Sequence, residues 1–105
     1  MHEYDYDWQD SRTIVSGPVD SVLSQMAALN KPVIVGEVGI DAGAGCWTST
    51  AQRADAFNQK FDAYLRRGVA GVFVWNWLSP SRGGCNNDVT PDDPLVPAMK
   101  SYRVP

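Results

Sequence analysis

Two segments of this chain are apolar almost without a break: Val33-Ile34-Val35-Gly36-Glu37-Val38 and Val69-Ala70-Gly71-Val72-Phe73-Val74-Trp75-Asn76-Trp77. A strand with one wet face alternates apolar and polar residues. A strand buried on both faces does not, and such strands belong to parallel sheets covered by helices. Between the two runs lies a helical pattern from Thr50 to Arg67, with Ala54, Phe57, Phe61, Tyr64 and Leu65 on one face. Arg66 and Arg67 suit its negative end, and Gly68 closes it. Upstream, Ser16-Gly17-Pro18 starts another helix, whose stripe is Val19, Val22, Leu23, Met26 and Leu29, and Asn30-Lys31-Pro32 stops it. Downstream, a polar loop runs from Ser79 to Asp92. Asp93-Pro94 then caps a short terminal helix with Leu95, Ala98, Met99 and Tyr102 facing inward. At the start, His2, Tyr4, Tyr6 and Trp8 alternate with Glu3, Asp5 and Asp7, as in a strand end with an aromatic face and an acidic one. The order of elements predicts a single α/β domain over residues 1–105.

Composition removes several function classes. Hydrophobic residues make up 44% and charged residues 20%, which is globular composition. Nine Lys and Arg against twelve Asp and Glu give a net charge of −3, with no basic block to grip nucleic acid. No apolar run approaches the ~20 residues that cross a bilayer. The acidic and aromatic start, Met1-His2-Glu3-Tyr4-Asp5-Tyr6, does not read as a secretory signal. At 105 residues the chain is too short for a complete (β/α)8 barrel, which needs roughly 250. Cys46 and Cys85 have no C-x-x-C spacing, which argues against zinc clusters and dithiol redox chemistry. They are either two thiols or one disulfide, according to whether their loops meet.

In a parallel α/β array, working residues gather at the C-terminal ends of strands. Here those ends carry His2-Glu3-Tyr4, Glu37, and Trp75-Asn76-Trp77. Glu37 ends an apolar strand beside Gly36 and Gly39, so its carboxylate needs a hydrogen-bond partner or a raised pKa. It is either a working carboxylate or a strand-end Glu that caps a helix or pairs with an Arg. Tyr4 and His2 are the candidate partners, because a phenol donates without adding charge and leaves the carboxylate ionised and nucleophilic. The alternative is a frayed terminus of ordinary polarity. Trp75 and Trp77 share a face by parity, with Asn76 opposite. They are either sugar-stacking platforms or core residues. A divalent ion held by His2 with Glu3, Asp5 or Glu37 is the weakest reading, since the chain has one His. No cofactor is expected.

These residues resemble a known family. His2-x-Tyr4, Lys31-Pro32-Val33-Ile34-Val35-Gly36-Glu37-Val38-Gly39 and Gly71-Val72-Phe73-Val74-Trp75 are similar to the last three strands of glycoside hydrolase family 5, and more broadly of the retaining-glycosidase clan on that barrel. The resemblance runs from His2 to about Tyr102 and covers less than half of a family barrel. It implies a partial, half TIM barrel of cellulase or mannanase type acting on β-linked oligo- or polysaccharide. Glu37 would be the catalytic nucleophile, Tyr4 its contact, and His2, Trp75, Trp77 and Trp47 substrate contacts. In the family the peptide after the strand-eight Trp is often cis. The family's acid/base Glu follows an Asn at the end of strand four, and no Asn-Glu pair exists here. Glu3 points away from His2 and Tyr4 by parity and is not promoted to that role.

A half-sheet leaves open edges and an exposed apolar face, so a homo-oligomer or a complementary half-barrel is expected. The competing expectation is a carbohydrate-binding or structural remnant without turnover. Cys46 and Cys85 lie in loops after consecutive parallel strands. A disulfide between them is therefore expected, and with it an oxidising, secreted or extracytoplasmic setting.

Overall fold

The computed structural model describes residues 1–4 and 18–105. Asp5, Tyr6, Trp8 and the Ser16-Gly17 cap lie outside the described residues. The elements are β1 (His2–Glu3), α1 (Pro18–Ala28), β2 (Ile34–Val38), α2 (Thr50–Arg66), β3 (Gly71–Val74) and α3 (Leu95–Ser101). The strands form one parallel sheet in the order β1-β2-β3. His2 lies opposite Glu37 and Glu3 opposite Val38, while Ile34, Val35 and Val38 face Gly71, Val72 and Val74. The fold is α/β with parallel strands, as the two apolar runs predict.

The core lies on one face of the sheet. Val35 and Val38 are fully buried there with Phe57 and Tyr64 of α2, Leu95 of α3 and Val19 of α1. Each such side chain contributes about 1.5–3 kcal/mol on leaving water. The opposite face is open, as expected of a half-sheet, and not covered as the doubly buried pattern of the strands alone implies. Ile34 is 47% exposed and Phe73 60%. The run looked doubly buried because both its faces are apolar, yet only one meets the core.

Other boundaries moved for local reasons. β3 ends at Val74 rather than running to Trp77. The Trp75 amide still donates to the Val38 carbonyl at 2.8 Å, but the Asn76 amide turns to the Asn87 carbonyl at 3.1 Å. The chain exchanges β2 for the 87–89 segment, to which Trp77 is bridged at Val89. α1 stops at Ala28, leaving Leu29 in solvent. In α3, Leu95 is buried and Ala98 packs on the core, as does Tyr102 just past the helix end, whereas Met99 is exposed.

α2 begins with a reciprocal cap. The Gln52 amide donates to the Ser49 hydroxyl, and the Ser49 amide donates to the Gln52 side chain. Gly68 follows the helix at φ 93°, where a side chain would be strained. Along the buried stripe of α2, charged residues alternate with aromatic ones: Arg53, Phe57, Lys60, Tyr64. Arg53 donates to the carbonyls of Ile40, Asn86 and Asp88 at 3.4, 3.3 and 2.9 Å and pairs with Asp93. Lys60 donates to both carboxylate oxygens of Glu3, at 3.2 and 2.9 Å.

Cys46 and Cys85 form a disulfide across 39 positions of sequence. The loops they join also meet as an antiparallel bridge between Ala42 and Asn86. A Cβ on Gly43 would lie 2.6 Å from the Gly84 carbonyl oxygen, so only glycine allows that approach. Loop-closure entropy for a ring of about 40 residues predicts that reduction lowers stability by roughly 3–4 kcal/mol. Urea unfolding with and without reductant measures this, and coincident curves would contradict it. Among the described residues, no helix is long and apolar enough to cross a membrane.

Candidate functional site

The site is built from the alternation of β1. Glu3 points beneath the sheet to Lys60, so His2 and Tyr4 emerge above it. On β2 the stretch from Val35 to Val38 is one residue longer than the facing stretch from Val72 to Val74. This irregularity contains Gly36 and Glu37, and a bulge of this kind re-aims the side chains it carries.

Glu37 meets His2 of β1 and Tyr4 immediately after it. The Tyr4 hydroxyl donates to Glu37 Oε2 at 2.5 Å, and His2 Nδ1 lies 3.2 Å from the same oxygen. Both contacts fall on Oε2 and not on Oε1. The Glu37 side chain keeps 27% of its accessibility, so the group is tethered but reachable. The Tyr4 phenol is pushed up to about 12, first by desolvation and then by the hydrogen bond and charge of Glu37. It therefore stays a proton donor at neutral pH.

Gly36 and Gly39, both expected to clear space beside Glu37, do different things. A Cβ at Gly36 would make ordinary contact with the His2 ring at 3.6 Å. One at Gly39 would lie 2.5 and 2.6 Å from Tyr4 ring carbons and 2.7 Å from the Asn87 amide nitrogen. Gly39→Ala should expel the Tyr4 ring, release its phenol toward the ordinary tyrosine value and cost about 1–3 kcal/mol. Gly36→Ala should leave that titration unchanged. NMR of ring-labelled tyrosine separates them, and equal behaviour of the two variants would refute the assignment.

Beside Tyr4 lies a recess of about 280 Å³ walled by Asp41, Trp47, Thr48 and the disulfide. Trp47 is 81% exposed at its rim. Trp75 leaves β3 next to Val38, the residue after Glu37, and is 44% exposed. Trp77, beyond it, is 61% exposed. Neither is a core tryptophan. Asn76 is partly buried, and among the described residues its Oδ1 finds no hydrogen-bond partner. The Trp75–Asn76 peptide is cis. In the loop after β3, Arg82 grips Asp88 and, chiefly through side-chain hydrogen bonding, holds its carboxyl down to about 2.

The structure thus joins His2, Tyr4 and Glu37, puts Trp47 in the same recess as Tyr4, and sets Trp75 at the adjacent strand end. Glu3 cannot share a metal with His2, because its carboxylate is buried on the other face against Lys60. Among the described residues, no group of three His, Cys, Asp or Glu could hold a metal ion. Sequence reasoning passed over Gly39 as a seat for Tyr4, and also Asp41 and Lys60. The signal for Lys60 was present, since a charge recurs at helical spacing inside the apolar stripe of α2. No protein family, curated protein or solved structure matches the chain.

Proposed function

We propose that Glu37 is the nucleophile of a retaining β-glycosidase site, carried on the last three βα units of a barrel that a second copy or a complementary half-barrel completes. The observation that carries this reading is the convergence of Tyr4 and His2 on one oxygen of Glu37 at a parallel strand end. Retaining hydrolysis needs a second carboxyl group about 5–5.5 Å away as acid/base. The completing half supplies it in this reading, and seats against the open sheet face with Ile34 and Phe73. Substrate is a β-linked glucan or mannan, stacked on Trp75 with Trp47 and Trp77 as outlying contacts. The setting is secreted or extracytoplasmic, in keeping with the disulfide.

The test separates the nucleophile from the missing acid. A 2,4-dinitrophenyl 2-deoxy-2-fluoro-β-glycoside carries a leaving group that departs without protonation, so its transfer to protein depends on the nucleophile alone. Attack by Glu37 forms an ester to the anomeric carbon and releases dinitrophenolate. The expected result is one glycosyl mass added to the peptide containing Glu37. Absence of label with both the gluco and manno reagents, in protein that sedimentation shows to be assembled, would end this reading. The exposure of Trp47, Trp75 and Trp77 favours a second one, a carbohydrate-binding remnant. Oligosaccharide binding by calorimetry without any labelling would establish that instead.

A further inference from the structure

We propose that Lys60 is a positioning residue for the Glu37 site: by engaging Glu3 beneath the sheet, it fixes which face of β1 turns upward and so delivers His2 and Tyr4 to Glu37. This rests on the reading of Glu37 given above and extends it to a residue on the far side of the sheet.

The inference starts from the parity of a strand. Neighbouring side chains on β1 point to opposite faces, so turning Glu3 down turns His2 and Tyr4 up. A slip of one residue would exchange the faces completely. β1 is only His2–Glu3, too short for its own pattern to resist such a slip. Its ladder contacts are backbone bonds, the Met1 amine to the Ile34 carbonyl at 2.9 Å and the Gly36 amide to the Met1 carbonyl at 2.7 Å. Backbone bonds are indifferent to which side chain lies above or below.

Glu3 and Lys60 are not indifferent. Both are buried, at 3% and 0% exposure, and Lys60 reaches both oxygens of the carboxylate. A slipped strand would draw the Glu3 carboxylate away from the Lys60 ammonium, which the buried stripe of α2 holds between Phe57 and Tyr64. Lys60 also lies 5.9 Å from the centre of the Tyr64 ring, which fixes its approach. Specifying register is the best-attested use of a buried ion pair, whose net contribution to stability is otherwise small. Here the specified register has a chemical product on the opposite face, the Tyr4 hydroxyl donating to Glu37 Oε2 with the His2 ring beside the same oxygen.

The test reads the Tyr4–Glu37 contact rather than turnover, so its outcome is independent of whether the glycoside label appears. Ring-labelled tyrosine is observed by NMR at about pH 10.5, with Tyr4→Phe assigning the signal. Glu37 and His2 face the phenol, and Asp41 lines the same recess. In the parent protein about 3% of Tyr4 should be ionised, and in Lys60→Met about three quarters, because a phenol freed from Glu37 returns to its ordinary value. The matched variant Glu3→Leu/Lys60→Met, with position 3 again suited to the core, should return Tyr4 to the parent fraction. A folded Lys60→Met with Tyr4 still un-ionised overturns the proposal, even if that variant melts earlier. If Lys60→Met does not fold, Glu3→Ala is read by the same two outcomes. A folded matched variant with Tyr4 largely ionised also overturns it.

Discussion

Glu37→Gln is expected to abolish covalent labelling by an activated fluoroglycoside, with a loss of at least about 10⁴-fold relative to the parent. The variant keeps the shape of the side chain and an oxygen to accept from Tyr4, but an amide is a poor nucleophile toward an anomeric carbon. Because Tyr4 and His2 both sit at Oε2, attack in the proposed reading would use Oε1, which neither touches. Tyr4→Phe should then cost less than Glu37→Gln, since it removes a positioning bond and leaves the carboxylate. A hydrogen bond to a charged group is worth about 1.5–3 kcal/mol, or roughly tenfold to a hundredfold in labelling rate. Rates of dinitrophenolate release measure both variants. Labelling that persists in Glu37→Gln would move the nucleophile elsewhere.

The largest expected loss of stability comes from Arg53→Met, about 3–5 kcal/mol. The guanidinium is 1% exposed and joins segments far apart in sequence: Ile40 after β2, Asn86 and Asp88 after β3, and Asp93 before α3. Methionine fills much of the volume but leaves the Asp93 carboxylate buried, with the Leu95 amide still donating to it. It also strips a donor from carbonyls that have little water to replace it. The midpoint of urea unfolding reports the loss directly. A midpoint equal to the parent's would mean that Arg53 only fills space. Asp93→Asn/Arg53→Met should recover part of the loss, because the orphaned charge is then gone.

The class of fold was legible because apolar runs and helical stripes are local patterns. The C-terminal strand ends could likewise be found by counting, which is why His2, Tyr4 and Glu37 could be named together. What escaped was pairing across the sequence. Glu3 and Lys60 lie 57 positions apart, and Arg53 and Asp93 lie 40 apart. A charged residue in a helix reads as solvent-facing until its partner is known, and nothing local to α2 names either carboxylate. An exposed apolar face was expected of a half-sheet, but which residues line it was not legible. Ile34 and Phe73 are as apolar as the core residues beside them, and only the placement of the helices separates wet from dry. Gly39 was visible as a gap beside Glu37, but its occupant, the Tyr4 ring, comes from a strand 35 positions earlier in the chain.

The bond between Cys46 and Cys85 alters what a protease can accomplish. Gly83 and Gly84 are exposed and fall inside the covalent ring. Scission there would not shed the C-terminal piece, which stays threaded to the body through sulfur and lodged by Leu95. Severed chains of this kind migrate as one species until a thiol is added, so an intact band on a non-reducing gel says nothing about whether the polypeptide has been cut.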